Sequence, residues 1–176
     1  EVYDNHEEVL DALGSEWKHI LGSDPSLFKT YSLFNEKALS QNDLINLKAK
    51  LAGHYGENEA INYLRKEFDG EMTFENANRL AGTEIEGYDI IGTVTETGEK
   101  IKYSVKNFSS DNVSKLIEEM DNSINKGITK QVVNSEAYEK LESMGKIDEY
   151  KSQGVTVINA KFSFIEGQTG HENLLS

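Results

Sequence analysis

The chain has 176 residues, 37% of them hydrophobic and 28% charged, with a net charge of −13 and no cysteine. That length and apolar content suit a globular chain with a real core, while the missing thiols exclude disulfides, thiolate metal sites and a cysteine nucleophile. The acidity is spread, at about −4, −5 and −4 over residues 1–52, 53–110 and 111–176, so no segment is basic enough to coat nucleic acid, and no run approaches the ~18 apolar residues of a membrane span.

Any metal must be held by oxygen and imidazole, which selects hard or borderline ions. The opening residues, EVYDNHEEVL, are acidic and lack the apolar stretch of a signal peptide. The chain begins with Glu rather than Met, and is expected to be a piece of a longer protein.

In chain order, Val9, Leu10, Leu13, Trp17, Ile20 and Leu21 recur at helical spacing. GSDPSLFKT, with the only proline, breaks that helix. SQNDLINLKAKLAGHYG predicts a second helix capped by Ser40. Residues 1–52 thus read as a helical N-terminal subdomain, in which Tyr3, Trp17, Phe28, Tyr31 and Phe34 pack between helices or grip a partner. GENEAINYLRKEF predicts a further helix, and GEMTFENANRL a short strand and loop. Two strands then flank a turn within GYDIIGTVTETGEKIKYSVKN. NVSKLIEEMDNSINKG reads as a helix stopped by Gly127, ITKQVVN as a strand, and SEAYEKLESMG as a helix stopped by Gly145. GVTVINAKFSFI alternates as a last strand before a flexible tail. From residue 56 the order is α-β-β-β-α-β-α-β, which implies a mixed sheet with helices on its faces.

The hairpin repays a register count. Thr97-Gly98 is the expected turn, so paired positions sum to 195. Asp89 then lies opposite Lys106, and Ile91 opposite Ser104. Ser104 and Lys106 share a face by period two, as do Lys100 and Lys102. Ile101, Tyr103 and Val105 form the other, apolar face, with Tyr88, Ile90 and Val94 beside them. Asp89 and Lys106 are on this reading either a cross-strand salt bridge or a pair assembled for chemistry. Glu57 adds a third group. It precedes Ala60, Ile61, Leu64 and Phe68 by three, four, seven and eleven residues, so it heads their apolar stripe, whereas Glu59 falls on a wetter face. A carboxylate at that place needs a partner or a cation; N-terminal helix decoration is the plainer explanation.

A glutamate in GENEAINYL, then GYDIIG, then YSVK on the next strand resembles the PD-(D/E)xK nuclease superfamily, the restriction-endonuclease-like fold. The resemblance covers residues 53–163 and implies an α-β-β-β-α-β core within a 53–176 nuclease domain. It implies that Asp89 is the main metal ligand, that Glu57 supports the metal, and that Lys106 orients the attacking water. Ser104 departs from the pattern, because the family usually has Asp or Glu two residues before the lysine. Serine variants resemble nuclease toxin domains of bacterial contact-dependent growth inhibition systems, which are modules of larger secreted proteins acting in the target-cell cytoplasm. Ser104 would then hold a water or a phosphate oxygen, and Val105 would add its carbonyl to a Mg2+ or Zn2+ ion.

The expected activity is metal-dependent hydrolysis of phosphodiester bonds in DNA, with RNA, including tRNA, as the other substrate and a restriction-type enzyme as a related form. Lys100 and Lys102 are expected to meet the nucleic-acid backbone, and an immunity protein to neutralise the toxin. The alternative is a non-enzymatic acidic α/β binding module, an immunity or adaptor protein, which the net charge favours. Glu84 and Glu86 read as replacement ligands or as a solvated strand end, and His54, three residues before Glu57, as a site member or an ordinary helix histidine.

Overall fold

A computed structural model describes residues 2–3, 6–14, 17, 21, 39–77 and 88–164. The chain divides into two compact units, with the boundary between Tyr55 and Gly56. The long helix α2 (Gln41–Glu67) belongs to both.

In the first unit, β1 (Val2–Tyr3) pairs antiparallel with β2 (Leu39–Ser40), so the lead-in is not purely helical. Helix α1 (His6–Leu13) supplies Val9 and Leu13, which are buried with Trp17, Leu21, Leu44, Leu47, Leu51 and Ala52. The spacing of four from Val9 to Leu21 is the helical stripe seen in the sequence. Tyr55 meets Trp17 edge-on, with centroids 6.4 Å apart. Ser40 does cap α2. Its Oγ accepts the Asp43 N–H at 3.2 Å, and Asp43 Oδ2 accepts the Ser40 N–H at 3.0 Å, a reciprocal capping box. The sequence predicts two helices between residues 40 and 68; there is one. Gly53 and Gly56 are both helical, because burial of Leu44, Leu47 and Leu51 in one unit and Ala60, Ile61 and Leu64 in the other outweighs a glycine cost of about 1 kcal/mol each.

The second unit, Gly56–Phe164, holds a five-stranded mixed sheet in the order β3 (Met72–Asn76), β4 (Ile90–Val94), β5 (Lys100–Lys106), β6 (Lys130–Val133), β7 (Thr156–Asn159). The first two pairings are antiparallel and the last two parallel. Helix α3 (Val113–Asn125) links β5 to β6, and α4 (Ser135–Ser143) with α5 (Lys146–Ser152) links β6 to β7. This is an α/β open mixed sheet flanked by helices, with one helix more than the sequence predicts. Gly127 (φ +90°) and Gly145 (φ +73°) take the left-handed conformation past the ends of α3 and α4, but the chain re-enters a helix straight after Gly145. Phe108, Leu116, Met120, Val133, Ala137, Leu141, Tyr150 and Val155 form the core under α3, α4 and α5. On the other face, Phe68, just past the end of α2, lies 6.1 Å from the Phe74 ring, which meets Tyr103 at 5.8 Å. Among the described residues no helix is long and apolar enough to cross a membrane.

The hairpin register differs from the expected one. Ile90 pairs with Tyr103 and Ile91 with Lys102, so pairs sum to 193, not 195, and Asp89 does not lie opposite Lys106. The loop is the four residues Thr95–Gly98, closed by Val94 N–H to Glu99 O (2.9 Å) and Gly98 N–H to Val94 O (2.7 Å). Gly98 has φ +74°, which glycine adopts without a Cβ penalty.

Candidate active site

The β4–β5 ladder ends irregularly. The register pairs Ile90 with Tyr103, yet the Asp89 N–H also donates to the Tyr103 carbonyl at 2.9 Å. Two successive residues thus address one, the geometry of a β-bulge. A bulge breaks strict alternation, and the packing shows it. Tyr88 is buried with Ala77, Ile128 and Ile91 on the α3 side of the sheet, not with Ile90 as period two predicts. Asp89 is released towards the α2 side.

There the Asp89 carboxylate substitutes for a ladder acceptor. Its Oδ2 takes the Val105 N–H at 2.8 Å. The N–H and C=O of one strand residue lie along the same edge, so the Val105 carbonyl also points to the edge that β4 leaves uncovered. Glu57 enters from α2, only 8% exposed, and its Oε1 accepts a bond from Asn76 Nδ2 at the end of β3 (3.4 Å). Gly56 makes that approach possible. A Cβ at Gly56 would lie 3.0 Å from the Asn107 Cβ, so a bare backbone lets α2 settle against the chain just past β5.

Burial pushes the Glu57 carboxyl up to about 8. Repulsion from Asp89 adds to this, against the Asn76 hydrogen bond and the Lys106 charge, which pull it down. Burial also raises Asp89, opposed by the Val105 N–H and again by Lys106. Glu57, Asp89 and Lys106 therefore share one electrostatic neighbourhood, reached through the bulge rather than through a directly opposed pair.

The remaining candidates lie elsewhere. Ser104 is 0% exposed, and its Oγ sits 3.3 Å from Ser123 Oγ on α3. It faces the opposite side of the sheet from Glu57. Lys100 and Lys102 share that side, and by the same alternation so does Lys106, the last residue of β5, whose charge still acts on Glu57 and Asp89. Lys100 Nζ donates to Thr93 Oγ1 near the hairpin loop (2.9 Å), and Lys102 Nζ lies 4.9 Å from the Tyr88 ring centroid. Of the three lysines expected to line up beside the carboxylates, Lys100 and Lys102 lie behind them, and Lys106 acts on them from the end of β5. Glu59 lines an open groove of about 470 Å3 with Asn62, Tyr63, Lys66 and Lys161, away from Glu57, as the stripe count predicts. His54 is half-buried, its pKa lowered by burial and then by Lys50. Glu84 and Glu86 lie outside the described residues, as do Phe28, Tyr31 and Phe34. Asn76 and Asn107 were missed by sequence reasoning. Neither carries a spacing signal, since each reaches the site only by standing at a strand end.

Among the described residues, no three His, Asp or Glu side chains converge as a metal cage. The buried Glu57 and half-buried Asp89 carboxylates, which repel one another, are nonetheless oxygen donors of the kind a divalent cation neutralises, with the Val105 carbonyl along the same edge. That donor set fits one hard ion completed by water. Compared with known families, curated proteins and solved structures, the chain finds no match.

Two substitutions probe this geometry. Gly56→Ala is expected to raise intrinsic helix stability by about 1 kcal/mol while driving α2 against Asn107. The expected net result is a change in unfolding free energy under about 1 kcal/mol with a loss of divalent-cation affinity, read by denaturant titration and calorimetry. Ser104→Asp, which supplies the usual family carboxylate, is expected to destabilise by about 3 kcal/mol or more without strengthening metal binding, because it buries an unpaired charge. Tighter metal binding by that variant in calorimetry contradicts the inward placement of Ser104.

Proposed function

We propose that this chain is a metal-dependent nuclease with Glu57, Asp89 and Lys106 at its centre. The observation that carries the reading is the buried Glu57 and half-buried Asp89 carboxylates, both acted on by the Lys106 charge where β4 and β5 part. Asp89 and Glu57 would hold a Mg2+ or Zn2+ ion, with the Val105 carbonyl as a further donor. When bound, such an ion supplies Lewis-acid polarisation of a phosphodiester and lowers the pKa of water. Asp89 is held for this by the Val105 N–H and Glu57 by Asn76. Lys106 supplies the fixed positive charge that a phosphorane-like transition state requires.

The net charge of −13 opposes approach of a polyanion, and supports DNA or RNA binding only at local basic points. Placement as a toxin domain delivered into a target cell and blocked by an immunity protein rests on the family resemblance alone. The same charge, with Ser104 turned inward, favours a second reading: an acidic binding module for a basic protein. Incubating the purified chain with plasmid DNA and with tRNA separates these, in Mg2+, in Zn2+ and in EDTA. Cleavage that EDTA stops supports the nuclease and shows its substrate class. No cleavage of either polymer in either metal removes it.

A further inference from the structure

Asn134 stands at the N-cap of α4, yet its side chain makes no capping bond. Asparagine is among the preferred residues there because its oxygen normally takes an N–H of the first turn. Instead, Oδ1 accepts the Phe108 N–H at 2.9 Å and Nδ2 donates to the Phe108 carbonyl at 2.9 Å, with Asn134 0% exposed. A primary amide carries the same donor and acceptor as a peptide unit. Asn134 therefore pairs Phe108 as another strand residue would, just where the β5–β6 register ends at Lys106 opposite Val133. Phe108 adjoins Asn107, whose Cβ lies against Gly56, the residue before Glu57.

We propose that Asn134 is a positioning residue: it fixes the Lys106–Phe108 segment against Gly56 and so sets Lys106 relative to Glu57. This rests on the reading of Glu57, Asp89 and Lys106 as the hydrolytic centre. A local rule is given up at α4, and such departures concentrate where a site must be held. The plainer role, satisfying the buried Phe108 amide for stability alone, predicts no selective effect on turnover.

Asn134→Ser separates the two, because serine caps α4 but is too short to bracket Phe108. The expected result is kcat lowered about 100-fold, the scale set by a misplacement near 1 Å, with KM within about threefold. Amide exchange at Asn107 and Phe108 should be about tenfold faster or more in the metal-free protein. The control is Leu141→Ala, or Leu141→Val if the first does not fold, in the buried face of the same helix. At an equal or greater loss of Tm it should keep parent kcat and parent exchange at residues 106–108. Parent kcat in Asn134→Ser, or an equal kcat loss in the Leu141 control, overturns the inference. If Asn134→Ser does not fold, Asn134→Asp keeps the acceptor for the Phe108 N–H and loses the donor, and parent values of kcat and Asn107 exchange overturn the inference there. If the parent cleaves nothing, the reading of the centre fails, and exchange alone decides the positioning: protection lost in Asn134→Ser but kept in the Leu141 control supports it, and unchanged protection overturns it.

Discussion

Asp89→Asn is expected to stay folded and to lose nucleic-acid cleavage by about 10³-fold or more, equivalent to about 4 kcal/mol of transition-state stabilisation. The asparagine oxygen can still accept the Val105 N–H that Asp89 Oδ2 takes at 2.8 Å, so the β4–β5 junction keeps its hydrogen bond. What disappears is the charge. Repulsion of Glu57 falls with it, since Asp89 is one cause of the raised Glu57 pKa, and Tm at neutral pH should be unchanged or higher. Asp89→Ala behaves differently. It leaves the Val105 N–H unpaired, at a cost of about 1–3 kcal/mol, and mixes a folding defect with a catalytic one. Cleavage assays on both variants, alongside thermal melts, check this. Full activity in Asp89→Asn sinks the nuclease assignment. A loss of activity matched by an equal loss of stability in both variants returns Asp89 to a structural role.

The second large effect concerns Glu57 and pH. In the folded chain its carboxyl titrates near 8, against an ordinary value of 4.5. Between those two pH values the folded state holds a proton that the unfolded state has released. Stability therefore falls as pH rises through that window, by at most about 5 kcal/mol, and is insensitive to this group below it. Glu57→Gln removes the proton and the slope together. The parent Tm in EDTA should drop between pH 5 and pH 8, while the variant stays flatter and is the more stable of the two at pH 8. A divalent cation should raise the parent Tm at pH 8 and release a proton on binding, with little effect on the variant. Parallel Tm profiles for the two chains count against a buried, proton-holding Glu57.

Much of the local structure was legible in the sequence. The stops at Gly127 and Gly145 followed from glycine's access to positive φ. The Ser40 cap and the stripe headed by Glu57 followed from helical geometry, which local spacing encodes directly. The placement of Glu57 away from Glu59 was readable for the same reason.

Other features were decided only by tertiary structure. A register sum of 193 differs from 195 by two residues, and a two-residue shift keeps every side chain on its face. The apolar pattern therefore cannot choose between them, although a one-residue slip would have been visible. The choice fell to the four-residue loop ending at Gly98 and to the bulge at Asp89–Ile90, where one Tyr103 carbonyl serves two amides. That bulge sends Tyr88 to the α3 side and Asp89 to the α2 side, against period two, and no spacing rule announces it. Gly56 read as a helix boundary, yet the helix runs through it, since the packing of α2 on Asn107 requires a missing Cβ rather than a break. Ser104 shares the YSVK run with Lys106, but its hydroxyl is closed off against Ser123, because the helix that covers β5 lies on that face. Sequence spacing thus determined which residues stand on one helix face or in one strand. Which of them meet was settled by irregular pairing and by close backbone approach, both of which arise between segments distant in the chain.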